Sequence, residues 1–192
     1  MSKLNTREQL LAAGLETLHA RGFNATGVQD IVDAAGVPKG SFYNHFASKD
    51  ALGAEIVQLY AAKGEARRRM LQDTSVPPLV RLHQYFELLN ELGEASGYAR
   101  GCLLGNFSIE LSSQSPAIRD CLSTAFADWT ASLAAVIAEA QRAGDVPETV
   151  AAGQLASFLI DAWEGAVMRA KLERNRGPLD VFLAVTFAKI LA

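Results

Sequence analysis

A short predicted helix that follows Pro38 carries side chains whose chemistry suits DNA. An ammonium group binds phosphate or guanine, an asparagine amide can read adenine through two hydrogen bonds, and hydroxyl groups suit phosphates. The residues predicted on its surface are Lys39, Gly40, Ser41, Tyr43, Asn44 and His45. Phe42 and Phe46, four residues apart, are expected to anchor the helix to a core. This pattern predicts a helix that enters a major groove.

A second candidate for chemistry is Cys102, which lies between glycines at the predicted start of another short helix. A helix N-terminus lowers the pKa of a thiol, and a cation such as Arg100, Arg169 or Lys171 would lower it further, which would make the thiol nucleophilic. The alternative is structural, because a small buried thiol can fill a tight contact between helices. We predict that structural role for Cys121, which shares a helix face with apolar residues.

The elements that must position these groups are predicted to be helices. The chain has 192 residues, of which 49% are hydrophobic and 20% charged, so it can bury a substantial core. Apolar residues recur three and four apart, and segments of strict alternation are lacking. The sequence therefore predicts an all-α protein of about nine helices. The last two are expected at about residues 148–174 and 179–191.

Helix boundaries near the N-terminus follow from capping signals. Thr6 and Gln9 fit a capping box for the first helix, which is expected to end at Gly22. A second helix is expected over 28–35 and a third over 39–46, with Gly36 in the turn between them. This arrangement is a helix-turn-helix. Ser48 is expected to cap a long fourth helix that ends near residue 72.

Composition and charge exclude several classes of protein. The net charge is −3, and residues 1–50 contain five basic and five acidic residues, so any DNA-binding charge must be local. No apolar run is long enough to predict a membrane span, and the first residues lack the apolar segment of a signal peptide. Two cysteines are too few for a disulfide scaffold. We therefore expect a cytoplasmic protein that does not enter a membrane.

Three segments together resemble the TetR family of transcriptional regulators. They are Gly22-Phe23-Asn24-Ala25-Thr26-Gly27-Val28-Gln29-Asp30-Ile31, Ala34-Ala35-Gly36-Val37-Pro38-Lys39-Gly40-Ser41-Phe42-Tyr43-Asn44-His45-Phe46, and Ser48-Lys49-Asp50-Ala51-Leu52. The resemblance covers residues 6–55 in one uninterrupted register. It implies a three-helix DNA-binding domain, placed here at residues 1–50, and a helical ligand-binding and dimerisation domain at 51–192.

The resemblance also implies which residues face the operator. They are Thr26, Gln29, Lys39, Gly40, Ser41, Tyr43, Asn44, His45 and Lys49. His45 has an alternative role as a buried residue that orients the recognition helix. Gly27 departs from the family, whose members usually have Ser or Thr at this N-cap; a hydroxyl that contacts phosphate is then missing, unless Thr26 replaces it.

In the second domain, Gly-Cys-Leu-Leu-Gly-Asn at 101–106, with Trp-Glu-Gly-Ala at 163–166, resembles a branch of the family that includes electrophile-responsive repressors. The resemblance implies that an inducer releases a near-palindromic operator. Predicted sensor or pocket residues are Cys102, Asn106, Phe107, Glu110, Trp129, Phe158, Trp163, Glu164 and Lys171. Predicted dimer contacts on the last two helices are Leu155, Leu159, Ala162, Ala166 and Phe182. The predicted partners are double-stranded DNA, a second copy of the chain and a small molecule.

Two other classes of function remain open from the sequence. A helical protein-interaction module could use the same hairpin as a docking face. A cysteine-dependent enzyme would need a base beside its nucleophile, and Cys102 lacks an accompanying motif. Paired metal-binding histidines are also lacking, so neither a metal nor a cofactor is predicted.

Overall fold

A computed structural model describes residues 4–192, and all regular secondary structure in this part of the chain is helical. Nine α-helices follow in order: α1 (Thr6–Arg21), α2 (Val28–Ala35), α3 (Lys39–Tyr43), α4 (Lys49–Arg68), α5 (Pro78–Ala95), α6 (Leu103–Leu111), α7 (Pro116–Ala143), α8 (Ala152–Glu173) and α9 (Gly177–Val185). A 3₁₀ turn, Arg69–Gln72, extends α4, and a π turn, Thr186–Ile190, extends α9. The all-α prediction of about nine helices is confirmed over these residues.

The backbone forms two compact units. Unit 1 contains Met1–Ala62 and Leu103–Ala125, and unit 2 contains Lys63–Cys102 and Phe126–Ala192. The chain thus passes from unit 2 to unit 1 directly after Cys102. The predicted boundary at residue 50 between a DNA-binding and a ligand-binding domain stays a prediction. The two compact units are divided differently, because α6 and the first part of α7 pack with the N-terminal helices.

The start of α1 differs from the prediction by one residue. Asn5, rather than Thr6, is the N-cap: its side chain accepts a hydrogen bond from the Glu8 amide at 3.0 Å, and the Glu8 carboxylate accepts one from the Asn5 amide at 2.9 Å. Asparagine caps at least as well as threonine, so the capping box forms one position earlier. Gly22 ends the helix as predicted, with a φ of 89°.

The helix-turn-helix has the predicted turn. Gly36 adopts the left-handed conformation, with φ 67° and ψ 33°, which glycine reaches without steric cost. Helix α3 ends at Tyr43, earlier than the predicted residue 46. The next residues still turn back, since the amides of His45 and Phe46 both donate to the Phe42 carbonyl. Ser48 accepts from the Ala51 amide at 3.1 Å and begins α4 as predicted.

Unit 2 is held by buried polar contacts as well as by apolar packing. Arg81 is 2% exposed; its guanidinium donates to the Leu71 carbonyl at 2.6 Å and pairs with Glu139 at 2.6 Å. A buried guanidinium needs such partners because losing its hydration is costly. These bonds fix the 3₁₀ turn between α5 and α7.

By length and composition alone, one described helix, α7, could cross a membrane. Several of its apolar side chains are buried within the protein: Ile118 is fully buried in unit 1, and Leu133 and Ile137 are fully buried in unit 2.

Candidate nucleic-acid interface and sensor site

Helix α3 presents polar side chains on a surface that two buried rings hold in place. Phe42 and Phe46 are 0% and 2% exposed, and their ring centroids are 5.6 Å apart. Most of the residues predicted to contact DNA in and just after α3 are exposed: Lys39, Gly40, Tyr43, Asn44 and His45. Ser41 is half-buried. Tyr43 is 57% exposed although its ring is largely apolar. This is the composition expected of a helix that docks in a groove of DNA.

His45 is one of the residues for which the sequence left two roles open. Its side chain is exposed. A histidine that orients the helix from inside the core would be buried, so the alternative role is wrong. His45 remains a candidate for contact with DNA.

Gly40 lies within α3, where glycine is a poor helix former. A Cβ atom added to it would meet nothing within 4 Å among the described residues. Its φ is not in the left-handed region, so neither packing nor backbone geometry within the chain requires a glycine there. Glycine in a helix interior costs about 1 kcal/mol relative to alanine. A close approach of DNA phosphates to the backbone would account for it.

Thr26 and Lys49 have structural roles that the resemblance did not indicate. Thr26 is 1% exposed and donates its hydroxyl to the Gly22 carbonyl at 2.8 Å, so its assignment to the operator face is corrected. The Lys49 ammonium donates to the carbonyls of Phe23 and Thr26 at 3.0 and 2.9 Å. It also lies 4.2 Å from the centre of the Phe23 ring. Lys49 therefore fixes the loop before α2.

The remaining α2 candidate, Gln29, is exposed and donates to the Asp33 carboxylate one turn later at 2.8 Å. Gly27, the N-cap of α2, has no side chain with which to cap. The Asp30 carboxylate accepts from the Gly27 amide at 2.7 Å instead. The start of α2 is thus stabilised without the hydroxyl that the family usually provides.

Two residues predicted to line an inducer pocket instead contact the loop that joins α1 to α2. Phe107 on α6 is fully buried and meets the Phe23 ring edge-on, with centroids 5.6 Å apart. The Glu110 carboxylate accepts from the Asn24 amide at 2.8 Å. Both contacts lie within unit 1, and the pocket assignment is corrected for both residues. Glu110 and Asn24 are 86 residues apart in the sequence, a separation that no sequence periodicity reveals.

Unit 2 contains a connected group of aromatic and polar side chains, buried except for the half-buried Glu164, which we call the sensor cluster: Tyr85, Asn90, Cys102, Trp129, Trp163 and Glu164. The Trp163 indole donates to the Asn90 side-chain oxygen at 3.0 Å and meets the Trp129 ring at 5.6 Å. Cys102 is 5% exposed and its thiol hydrogen-bonds to the Glu164 carboxyl. The sequence indicated four of these residues and missed Tyr85 and Asn90, whose helix carries no distinguishing motif.

Three polar atoms of the cluster are buried and lack a hydrogen-bond partner within residues 4–192: Asn90 Nδ2, Trp129 Nε1 and Glu164 Oε1. Such atoms are rare in folded proteins, because each costs about 1–3 kcal/mol when it is left unpaired. Two are donors and one is a carboxyl oxygen.

Burial also changes the acidity of Glu164. Loss of hydration raises its pKa to about 7, while the hydrogen bond from Cys102 and the charge of Asp161 act in opposite directions. A carboxyl with a pKa near neutrality can accept and return a proton under physiological conditions. Of the cations predicted near the thiol, Arg169 pairs instead with Glu173, and Lys171 is half-buried further along α8. Asn106 is half-buried on α6, in unit 1.

The predicted dimer contacts divide into two groups. Leu155 and Leu159 are 7% and 0% exposed within the single chain, so they belong to its own core and their assignment is corrected. Ala162, Ala166 and Phe182 instead line an open apolar groove of about 500 Å³ along α8 and α9. The groove also contains the exposed side chains of Phe158, Val181 and Val185.

Within residues 4–192, no three His, Cys, Asp or Glu side chains lie close enough together to hold a metal ion.

Comparisons with known proteins agree with this arrangement. Residues 10–56 match the model for bacterial regulatory proteins of the tetR family, and residues 78–186 match the tetracyclin repressor-like C-terminal domain. The HTH-type transcriptional repressor DhaR of Mycobacterium sp. strain GP1 is 42% identical over 192 residues, which cover all of this chain and 95% of that protein.

Two solved structures share the whole fold. A regulatory protein TetR from Rhodobacter sphaeroides is 33% identical, with a TM-score of 0.91 over 97% of this chain and 99% of that one. The reduced form of NemR from E. coli is 30% identical, with a TM-score of 0.84 over 93% of each chain. The chain therefore belongs to the TetR family, and it is a DNA-binding transcriptional regulator rather than an enzyme.

Proposed function

We propose that the protein is a dimeric repressor that binds a near-palindromic operator through α3 and releases it when a reactive electrophile modifies Cys102. It would act in the cytoplasm, where its DNA is found. The observation that carries the proposal is the position of Cys102. It is part of the sensor cluster, and the next residue begins α6, which contacts the loop before α2 through Phe107 and Glu110.

The DNA-binding role of α3 can be separated from its folding by one substitution. Gly40→Ala is expected to leave the melting temperature unchanged or raise it slightly, because alanine is the better helix former and the added Cβ meets open space. Operator affinity, measured by fluorescence anisotropy, is expected to fall at least tenfold. Unchanged affinity would show that the backbone at Gly40 does not approach DNA.

The groove along α8 and α9 supports the dimer. Gly165 lines it, and a Cβ at this glycine would meet nothing within 4 Å among residues 4–192, so packing within the chain does not require it. Close approach of a second copy of α8 and α9 accounts for both the glycine and the exposed apolar side chains. A dimer would present its two α3 helices to successive major grooves, about 34–36 Å apart.

Modification at Cys102 can release DNA by a modest change in free energy. A 100-fold loss of affinity requires about 2.7 kcal/mol in favour of the non-binding state. Adding one group to a packed interior costs about 1–3 kcal/mol. Since Cys102 is buried and joins α6 directly, the added group would displace the helix that supports Phe23 and Asn24.

The test is a titration of DNA from the region upstream of the gene, with and without a neutral unsaturated ketone. Modified wild-type protein is expected to lose about 100-fold in affinity, and Cys102→Ser is expected to retain it. Cys121→Ser is the matched control, because Cys121 is the half-buried second thiol and lies near Gln58 in unit 1. Equal release of wild type and Cys102→Ser would refute the thiol switch. A reversible ligand of the sensor cluster would then be the preferred inducer, detected by quenching of tryptophan fluorescence.

A steep loss of affinity with salt would distinguish operator binding from a protein-interaction role, since counterions are released only when phosphates are contacted.

A further inference from the structure

The chemistry of Cys102 depends on its neighbour on α8. The Cys102 thiol donates a hydrogen bond to the Glu164 carboxyl inside unit 2, where the second carboxyl oxygen, Oε1, is buried. Within residues 4–192, that oxygen has no hydrogen-bond partner. A carboxyl rarely occupies such a place unless its charge or its proton is used.

The groups that surround this pair come from several helices. The charge of Asp161 on α8 acts on Glu164, and the charge of Cys102 acts on Tyr85 of α5. Tyr85 is itself hydrogen-bonded to Arg68 at the end of α4. Helix α7 contributes Trp129, which is uncharged and contacts the neighbour of Glu164 in sequence, Trp163. Glu164 is thus the acid–base group in hydrogen-bond contact with the thiol.

We propose that Glu164 is the proton acceptor that activates Cys102 toward an electrophile such as the unsaturated ketone used to test the proposed function. This inference rests on the proposed function of Cys102 as the sensor. It adds a named residue that accepts the proton.

The reaction is an addition that needs no oxidant or second reactant. The sulfur forms a bond to the β-carbon while the thiol proton moves to the Glu164 carboxylate, and the π electrons of the C=C bond move to the carbonyl oxygen. Glu164 then returns the proton to the α-carbon, so that every atom of both reactants remains in the product. General-base assistance of this kind contributes about 10²–10⁴ in rate.

Two physical roles for Glu164 predict opposite results. As a proton acceptor, the carboxylate speeds the reaction, and its pKa of about 7, raised by burial, sets the midpoint of the pH profile. As a mere neighbouring charge, it opposes formation of the thiolate and slows the reaction. Replacing Glu164 with the isosteric, neutral glutamine therefore distinguishes the roles by the sign of the change.

The experiment uses the full-length protein with Cys121→Ser, so that a single thiol remains. The rate constant for alkylation of Cys102 by methyl vinyl ketone is measured by mass spectrometry between pH 5.5 and 9. The parent is expected to show a midpoint near pH 7. Glu164→Gln is expected to react at least tenfold more slowly at pH 7.5, with its midpoint near the ordinary thiol value of about 8.5. Glu164→Asp should recover part of the rate.

An equal or faster rate in Glu164→Gln would overturn the proposal. A midpoint near pH 8.5 in the alkylation profile of the parent protein would also overturn the proposal. That measurement needs no variant at position 164, so the proposal can be tested even if Glu164→Gln does not fold. The assay contains no DNA, so it is independent of the sensor hypothesis. If fully alkylated protein still binds its operator, the proposed function fails while the role of Glu164 in the addition stands.

Discussion

The two lysines of the DNA-binding helices are expected to respond differently to the same substitution. Lys39 is exposed at the start of α3, whereas the Lys49 ammonium donates to two backbone carbonyls and lies over the Phe23 ring. We predict that Lys49→Met destabilises the fold, and that Lys39→Met weakens only DNA binding.

The magnitude for Lys49 follows from its contacts. A hydrogen bond from a charged donor contributes about 1.5–3 kcal/mol, and a cation over a ring contributes about 0.5–2 kcal/mol. Lys49 is half-buried, so water replaces part of what is lost. We therefore expect the free energy of unfolding to fall by about 2–4 kcal/mol. In a protein of this size, each 1 kcal/mol lowers the melting temperature by about 2–4 °C.

The assay combines thermal melting with operator titrations at several salt concentrations. Lys39→Met is expected to melt as the parent does and to reduce the salt slope by about 0.9 for each DNA-binding unit, which corresponds to one phosphate contact. Lys49→Met is expected to melt earlier with the slope unchanged. If Lys49→Met instead keeps its melting temperature and loses the slope, its carbonyl contacts are incidental and it is a phosphate ligand.

Three further predictions concern other parts of the molecule. Glu110→Ala, which removes the acceptor for the Asn24 amide, should weaken operator binding about fivefold by anisotropy without any electrophile, since a hydrogen bond contributes about 1 kcal/mol; unchanged affinity would mean that α6 does not support the DNA-binding helices. Val181→Glu should convert dimers to monomers in light scattering, whereas Ile109→Glu, a control that is 80% exposed in unit 1, should remain dimeric; a dimeric Val181→Glu protein would exclude the groove. Burial raises the pKa of Glu164 from 4.5 to about 7, so the folded state binds the Glu164 proton more tightly than the unfolded state does. The free energy of unfolding, measured with urea, should therefore fall by up to about 3 kcal/mol as the pH rises from 4.5 to 7. Glu164→Gln should remove that part of the fall, and an unchanged pH dependence in the variant would contradict the raised pKa of Glu164.

The sequence alone determined features that depend on neighbours along the chain. Capping residues, glycine turns and apolar periodicity predicted α2 to the residue, the left-handed Gly36 and the start of α4. The same local signals separated the exposed face of α3 from its buried Phe42 and Phe46. Such features follow from backbone geometry and from the period of a helix, both of which a single segment contains.

Only the tertiary structure decided what each polar side chain contacts. Glu110 and Lys49 carry charged groups that could bind an inducer or DNA. In the folded chain, both side chains instead hydrogen-bond to backbone atoms that folding brings near them. Leu159 shares its stripe with Ala162, but one lies in the chain's own core and the other in an open groove. The sequence predicted Glu164 as a pocket residue, but its contact with Cys102 appears only when residues more than sixty positions apart are packed together. Partners distant in sequence are set by how helices pack, and periodicity specifies which face is buried but not against what.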